Sequence, residues 1–248
     1  MIDICLEFVV TSSFLTLMQD DVRIPNLFMH FCTLYKSQIE LLKAFSSITN
    51  PGWQDERLRE CILGWFSQHK EFTEIQIVEH LKQVARNNYK YACLLGFCYD
   101  KGFGTFIDPQ KAFQWYLRAA EQNDSFGQNQ VGYFYQNGIG TKVNDEKAFY
   151  WYQRSADNGC SEGKSNLGSC YEYGTHVKQD RKYAFYWYSK SAEMGDELGK
   201  WDLADMFFYG LGTNVDVHRA LKLYLEAKNL GCMDVEYYVR NIFINSLI

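Results

Sequence analysis

Residues 131–156 read VGYFYQNGIGTKVNDEKAFYWYQRSA, and the same pattern of residues returns along the chain at a fixed step. The pairs Leu95-Gly96, Val131-Gly132, Leu167-Gly168 and Leu203-Ala204 are each 36 positions apart, as from 95 to 131. The step also links Tyr99, Tyr135, Tyr171 and Phe207; Gly102, Gly138, Gly174 and Gly210; Ala112, Ala148, Ala184 and Ala220; Trp115, Trp151, Trp187 and Leu223. Because many residue types keep one period, the sequence predicts a tandem repeat.

Each repeat unit is predicted to contain two helices. In the first helix Leu, Gly and Tyr lie at i, i+1 and i+4 and share one face, where the glycine lets a neighbouring helix approach closely. The helix then meets a glycine such as Gly138, which suits the left-handed position that ends helices. The second helix is predicted to begin after an N-cap residue at Asp108, Asn144, Asp180 or Asp216, and Pro109 follows the first of these caps.

The predicted fold is all-α, because helix pairs of this kind bury their apolar faces only by stacking into a solenoid. The four clear units are assigned to residues 92–127, 128–163, 164–199 and 200–235. A degenerate unit is predicted over residues 57–91, because Cys61-Ile62-Leu63-Gly64 echoes Cys93-Leu94-Leu95-Gly96. Residues 1–56 are predicted to form an N-terminal helical cap, and residues 236–248 a C-terminal capping helix.

The unit resembles the Sel-one-like repeat, a longer relative of the tetratricopeptide repeat. The resemblance rests on the pattern Ala-x-x-Leu-Gly-x-x-Tyr-x-x-Gly-x-Gly, followed by Asp, Lys-Ala-x-x-Trp-Tyr and Ala-Ala, over about residues 92–235. It implies a right-handed α-α superhelix of helix-turn-helix repeats. Three positions depart from the pattern: His176 replaces a loop glycine, Leu223 replaces the Trp, and Lys228 replaces an Ala.

Composition and charge indicate which partners, location and cofactors to expect. The net charge is −5 and no basic run occurs, which argues against nucleic acid as a partner. No apolar segment is long enough to predict a membrane span. Asp3 and Glu7 do not suit a signal peptide, and the eight cysteines form no CxxC pair, so we expect a cytoplasmic protein with reduced thiols. The histidines and cysteines lack the spacing of a zinc site, and we expect no metal or cofactor.

The predicted site is the concave face, which the first helices line in tetratricopeptide-like arrays. It comprises the positions about 100° around each first helix from the core face: Phe97, Asp100, Lys101, Asn129, Tyr133, Gln136, Asn137, Ser165, Ser169, Glu172, Tyr173, Trp201, Asp205, Phe208 and Tyr209. These residues are polar with interspersed aromatics, and they vary between units. Such a surface suits a peptide or helical segment of a protein partner, neutral or mildly basic. The predicted role is a non-catalytic scaffold or adaptor in signalling or complex assembly.

Three other interpretations compete with partner binding in the groove. The chain could be a structural spacer that acts through its N-terminal cap. It could be a hydrolase that uses Ser161 and Lys164, which, like Ser67 and Lys70, match the Ser-x-x-Lys motif of penicillin-interacting enzymes. Cysteine-rich Sel-like proteins are linked to penicillin binding, but their cysteine pairs do not recur in every unit here. Finally, the Trp-Tyr pairs could be a binding site, although their strict period favours the core.

Overall fold

The computed structural model describes residues 74–86 and 90–229. Within this part of the chain all regular structure is helical. The helices are α1 (Glu74–Val84), α2 (Lys90–Lys101), α3 (Pro109–Glu121), α4 (Ser125–Asn137), α5 (Asp145–Asp157), α6 (Ser161–Tyr173), α7 (Arg181–Glu193), α8 (Glu197–Tyr209) and α9 (Val217–Asn229). The predicted N-terminal cap, the first helix of the degenerate unit and the C-terminal capping helix lie outside the described residues.

Pairs of helices form the repeats: α2 with α3 is repeat 1, α4 with α5 is repeat 2, α6 with α7 is repeat 3, and α8 with α9 is repeat 4. The first helices of repeats 1 to 4 begin at residues 90, 125, 161 and 197, two or three residues before the predicted unit boundaries. Helix α1 precedes them, within the segment assigned to the degenerate unit. None of the helices in the described segments has the length and apolar character that a membrane crossing needs.

Glycine ends the first helices, as predicted. Gly138 has φ 67° and Gly174 has φ 73°, in the left-handed region where a side chain is disfavoured. The backbone N–H of Gly138 donates to the carbonyl of Phe134, and the N–H of Ile139 donates to the same oxygen at 3.0 Å. These bonds satisfy a carbonyl that would otherwise be left without a donor at the helix end.

The predicted N-caps of the second helices are confirmed. Asp108 accepts a hydrogen bond from the backbone N–H of Lys111 at 3.0 Å. Asn144 does the same for Lys147 at 2.8 Å, and the other two caps, Asp180 and Asp216, repeat the arrangement. A cap of this kind contributes about 1 kcal/mol to helix stability. It fixes the residue at which each second helix begins.

A buried tyrosine and a small residue join the two helices of each repeat. Tyr116, Tyr152, Tyr188 and Tyr224 are fully buried. A Cβ atom added at Gly132 would lie 2.7 Å from the ring of Tyr152, and one added at Gly168 would lie 2.9 Å from the ring of Tyr188. The glycine beside the leucine is therefore required for close packing, as predicted. The tyrosines of the Trp-Tyr pairs belong to the core, whereas Trp151 is buried and Trp115 and Trp187 are partly buried.

Successive repeats stack so that first helices lie beside first helices. Helix α4 contacts α6, and α6 contacts α8. Within repeats 2 and 3 a recurring bond joins the second helix to the start of the first: Ser155 Oγ donates to the carbonyl of Ser125 at 2.7 Å, and Ser191 Oγ donates to that of Ser161 at 2.8 Å. This arrangement is the predicted all-α superhelix, with the first helices forming one continuous face.

Candidate partner-binding groove

A cleft of about 410 Å³ lies along the face formed by the first helices. It is lined by Asp100 and Lys101 of α2, Phe126, Asn129, Gln130 and Tyr133 of α4, Ile139 of the following loop, Glu162 and Asn166 of α6, and Glu197 and Leu198 of α8. Residues of repeats 1 and 4 contribute to the same cleft, so this face curves inwards. The first helices therefore form a groove, to which every one of the four repeats contributes a side chain.

The predicted site residues differ in how far they are exposed to solvent. Asp100, Lys101, Asn129 and Tyr133 line the cleft. Tyr173 and Tyr209 are exposed, with 72% of the surface of Tyr173 accessible, and Asn137 is exposed too. The remaining partly buried positions are Gln136, Ser169, Glu172, Trp201, Asp205 and Phe208. Trp201 packs edge-on against Tyr224, with ring centroids 4.9 Å apart, which gives it a role in the core of repeat 4.

The structure corrects the prediction for Phe97, which belongs to the core and not to the groove. Only 1% of its surface is exposed, and every residue from Ala92 to Tyr99 is buried. Helix α1 packs against α2 and adds to its enclosure. A prediction from the repeat period gives all first helices the same open face, whereas residues 92–99 of α2 are buried on every side.

Two predicted site residues fasten neighbouring first helices to each other. Asn166 Nδ2 donates to Asn129 Oδ1 at 2.8 Å, between repeats 3 and 2. Ser165 Oγ donates to Asp202 Oδ2 at 2.8 Å, between repeats 3 and 4. The partners are 37 residues apart in both cases, and both Asn129 and Ser165 are buried. These side chains hold the groove floor together and offer little surface to a partner.

The hydroxyl groups of the core tyrosines reach other predicted site residues. Tyr152 donates to Gln136 Oε1 at 2.8 Å, and Tyr188 donates to Glu172 Oε2 at 2.8 Å. In repeat 4 the hydroxyl of Tyr224 donates to Asp205. Burial raises the pKa of Tyr188 well above its usual range, so this hydroxyl stays a donor. The groove side chains at these positions are thereby held in fixed orientations.

The part of the groove in repeats 3 and 4 carries a concentration of negative charge. Burial raises the pKa of Asp202 to about 7, and the neighbouring carboxylates of Glu172 and Asp205 add to the shift. Burial also raises the pKa of Asp205, again with Glu172 adding to it. The charged groups that act on Asp202 are therefore negative, and a positively charged ligand group would relieve their repulsion.

The proposed hydrolytic pair is not assembled as a nucleophile and its base. Lys164 Nζ donates to the carbonyl of Ala156 at 3.0 Å, where it caps the end of α5. Ser161 Oγ donates to Glu162 Oε2 at 3.2 Å. The two side chains thus have separate structural partners, which does not favour hydrolysis at this site. The other match, Ser67 with Lys70, lies outside the described residues.

Several residues of the cleft were missed by the sequence analysis: Phe126, Gln130, Ile139, Glu162, Asn166, Glu197 and Leu198. Most of them lie one turn nearer the start of the first helices than the predicted set. A signal was present at one of these positions. Phe126, Glu162 and Leu198 are each 36 residues apart, so a carboxylate in repeat 3 stands where repeats 2 and 4 have an apolar residue.

The Sel1 repeat family model matches residues 90–124, 125–160, 161–196 and 198–232, which together make up more than half of the chain. No curated protein matches the chain significantly. Among solved structures, a Sel1 repeat protein from Oxalobacter formigenes is 31% identical, with a TM-score of 0.63, and the match covers 68% of this chain and 69% of that one.

A second similar structure is c5321, a protective antigen of uropathogenic Escherichia coli strains with an SLR fold. It is 29% identical, with a TM-score of 0.60, and the match covers 72% of this chain but 40% of that one. Sel1 repeat proteins are generally scaffolds for protein interactions and typically non-catalytic. The matched repeats, the paired helices and their buried tyrosines place this chain in the Sel1 repeat family.

Proposed function

We propose that this protein is a non-catalytic scaffold or adaptor that binds a peptide or helical segment of a partner protein in the groove of its first helices. The observation that carries the proposal is the cleft of about 410 Å³ to which all four repeats contribute side chains. A ligand in this cleft would contact several repeats at once. Binding would then depend on the stacked array and not on a single helix pair.

Exposed aromatic rings beside the cleft support a protein ligand. Tyr133 lines the cleft with 45% of its surface exposed, and Tyr173 and Tyr209 follow along the same face with still higher exposure. Tyrosine is favoured at interfaces because it buries a large rigid area and keeps a polar group. Rings left in water in the free protein are a source of binding energy when a partner covers them.

Variation between repeats at the groove positions also supports ligand binding. The core tyrosine recurs in every repeat, whereas the groove position 36 residues apart is Asp100, Gln136, Glu172 and Phe208 in successive repeats. Packing does not impose this variety. It suits a surface fitted to one neutral or mildly basic protein segment, in signalling or complex assembly in the cytoplasm. A net charge of −5 supports protein rather than nucleic acid as the partner.

The test compares two variants, each of which replaces three exposed tyrosines. The groove variant replaces Tyr133, Tyr173 and Tyr209 by alanine, and the control variant replaces Tyr150, Tyr183 and Tyr186, which are exposed on the second helices. Both proteins are used as bait in the native cell extract, and helical content is measured by circular dichroism. We expect the groove variant to lose partners that the wild type and the control variant retain. Recovery of the same partners by the groove variant would contradict the proposal.

A further inference from the structure

Glu162 is an acidic residue at a position that is apolar in the neighbouring repeats. The residues 36 positions before and after it are Phe126 and Leu198, and all three line the cleft. A carboxylate at this position buries less apolar surface than Phe or Leu would. It places a polar group inside the cleft.

The two carboxylate oxygens of Glu162 differ in their surroundings. Oε2 accepts hydrogen bonds from Cys160 Sγ at 3.0 Å and from Ser161 Oγ at 3.2 Å. Oε1 is buried and has no hydrogen-bond partner among the described residues. Burial accordingly raises the pKa of this carboxyl. A buried acceptor without a donor is costly, and the cost disappears if a ligand supplies the donor.

The charges and walls of the cleft indicate the kind of donor. Three carboxylates, those of Asp100, Glu162 and Glu197, line it together with one ammonium group, that of Lys101. Lys101 Nζ lies 2.9 Å from Asp100 Oδ2, and the carboxylates that line the cleft outnumber its single ammonium group. The complementary ligand group is a cation.

Apolar and amide side chains make up the rest of the cleft. Phe126, Tyr133 and Leu198 offer apolar surface, and Gln130 and Asn166 offer amide groups. A side chain with a methylene stem and a cationic head that donates several hydrogen bonds fits this combination. Arginine fits it better than lysine, because guanidinium is less strongly hydrated, stacks on aromatic rings and donates in a planar fork.

We propose that the cleft receives an arginine side chain of the partner segment, whose guanidinium donates a hydrogen bond to Glu162 Oε1. The proposal rests on the proposed function, since it assigns one subsite within the groove. The aliphatic part of the arginine packs against the apolar wall, and the carboxylates of the cleft neutralise its charge. Recognition of the partner therefore requires an arginine at one position of the bound segment.

Short peptides test the subsite without knowledge of the partner. The probes are acetyl-Ala-Ala-Arg-Ala-Ala-amide and the same peptide with citrulline or lysine in place of arginine. Citrulline has the shape of arginine but no charge. Each peptide is titrated into the isotopically labelled full-length protein, and the side-chain amide signals of Asn129 and Asn166 are followed by NMR. We expect the arginine peptide to bind about tenfold more tightly than the citrulline peptide, because a charge-assisted hydrogen bond is lost with citrulline.

Two variants locate the interaction. Glu162→Gln keeps the size of the side chain and removes its charge, and we expect it to abolish most of the preference for arginine over citrulline. Glu121→Gln, at an exposed position at the end of α3, removes one carboxylate elsewhere and should leave the preference unchanged. The wild-type comparison of arginine with citrulline decides the question even if Glu162→Gln fails to fold.

Equal binding of the arginine and citrulline peptides would overturn the proposal, as would lysine binding as tightly as arginine. An unchanged preference in Glu162→Gln would remove Glu162 from the subsite and equally overturn it. None of these results would touch the proposed function, which stands or falls with the loss of partners in the variant lacking Tyr133, Tyr173 and Tyr209. The two hypotheses can therefore fail separately.

Discussion

Repeats 2 and 3 have the same core, but the side chains that meet that core from the groove differ in charge. Gly132 lies against Tyr152 in repeat 2 as Gly168 lies against Tyr188 in repeat 3. The tyrosine hydroxyl then donates to an amide, Gln136, in repeat 2, and to the carboxylate of Glu172 in repeat 3. Both bonds are 2.8 Å long, so one geometry is satisfied by a neutral or by a charged acceptor.

The bonds between neighbouring first helices show the same contrast. Asn166 donates to Asn129 between repeats 2 and 3, whereas Ser165 donates to Asp202 between repeats 3 and 4. What the fold requires at these positions is a donor opposite an acceptor. The backbone does not require either charge or neutrality. The groove can therefore change from amide to acid along its length while the core stays constant, which is how a repeated scaffold acquires a non-repeated binding surface.

The largest effect is expected in the cores of repeats 2 and 3, and it tests whether these two cores contribute equally to stability. Tyr152→Ala and Tyr188→Ala each remove a fully buried aromatic side chain, and each should lower the free energy of unfolding by about 3–5 kcal/mol. Urea unfolding monitored by circular dichroism measures both values. A difference of more than about 1 kcal/mol between them would show that the repeats differ in core packing as well as in the groove.

The core and the ends of the helices could be predicted from the sequence because their signals are local. Gly138 ends a helix and Asn144 begins one through contacts within a few residues, and the buried tyrosine is fixed by the period. The orientation of groove side chains has no such signal. Asn129 and Ser165 lie on the expected helices but are used for bonds to residues 37 positions away.

Predictions from the repeat period also miss the residues that depart from the common pattern and that matter for the site. It assigned Phe97 to the groove, although the surroundings of α2 differ from those of the later first helices. The period also gives no reason to select Glu162. A single acidic residue where repeats 2 and 4 have an apolar one is ordinary sequence variation, and only the structure shows that it lines the cleft. Both errors come from averaging over repeats whose neighbours are not the same.

A smaller effect is expected from pH, which should act on the junction of repeats 3 and 4 through Asp202. Burial raises the pKa of Asp202 to about 7 in the folded protein, above the value of about 3.9 expected for the unfolded chain. The folded state then holds this proton more tightly, so stability falls as pH rises from about 4 to about 7. We expect Asp202→Asn to be more stable than the wild type by about 1–3 kcal/mol at pH 8 and to match it near pH 4.

The reciprocal substitution sharpens this comparison. Asn166→Asp places a carboxyl group at the equivalent position one repeat earlier, and it should introduce a decline of stability with rising pH at the junction of repeats 2 and 3. Urea unfolding at pH 4 and pH 8 measures both variants beside the wild type. The interpretation fails if Asp202→Asn keeps the full pH dependence of the wild type, because another group would then be responsible.

The smallest effect concerns the tyrosine hydroxyl groups, which donate to a charged acceptor in repeat 3 and to a neutral acceptor in repeat 2. Tyr188→Phe removes the donor to Glu172 and should cost about 1–2 kcal/mol, whereas Tyr152→Phe removes the donor to Gln136 and should cost about 0.5–1 kcal/mol, because bonds to ionised acceptors are stronger. In a Glu172→Gln background repeat 3 acquires the acceptor of repeat 2. The cost of Tyr188→Phe should then fall to that of Tyr152→Phe, as measured by a double-mutant cycle. If the cost stays the same in that background, the charge of Glu172 does not strengthen the bond, and the contrast between the two repeats concerns only what they present to a partner.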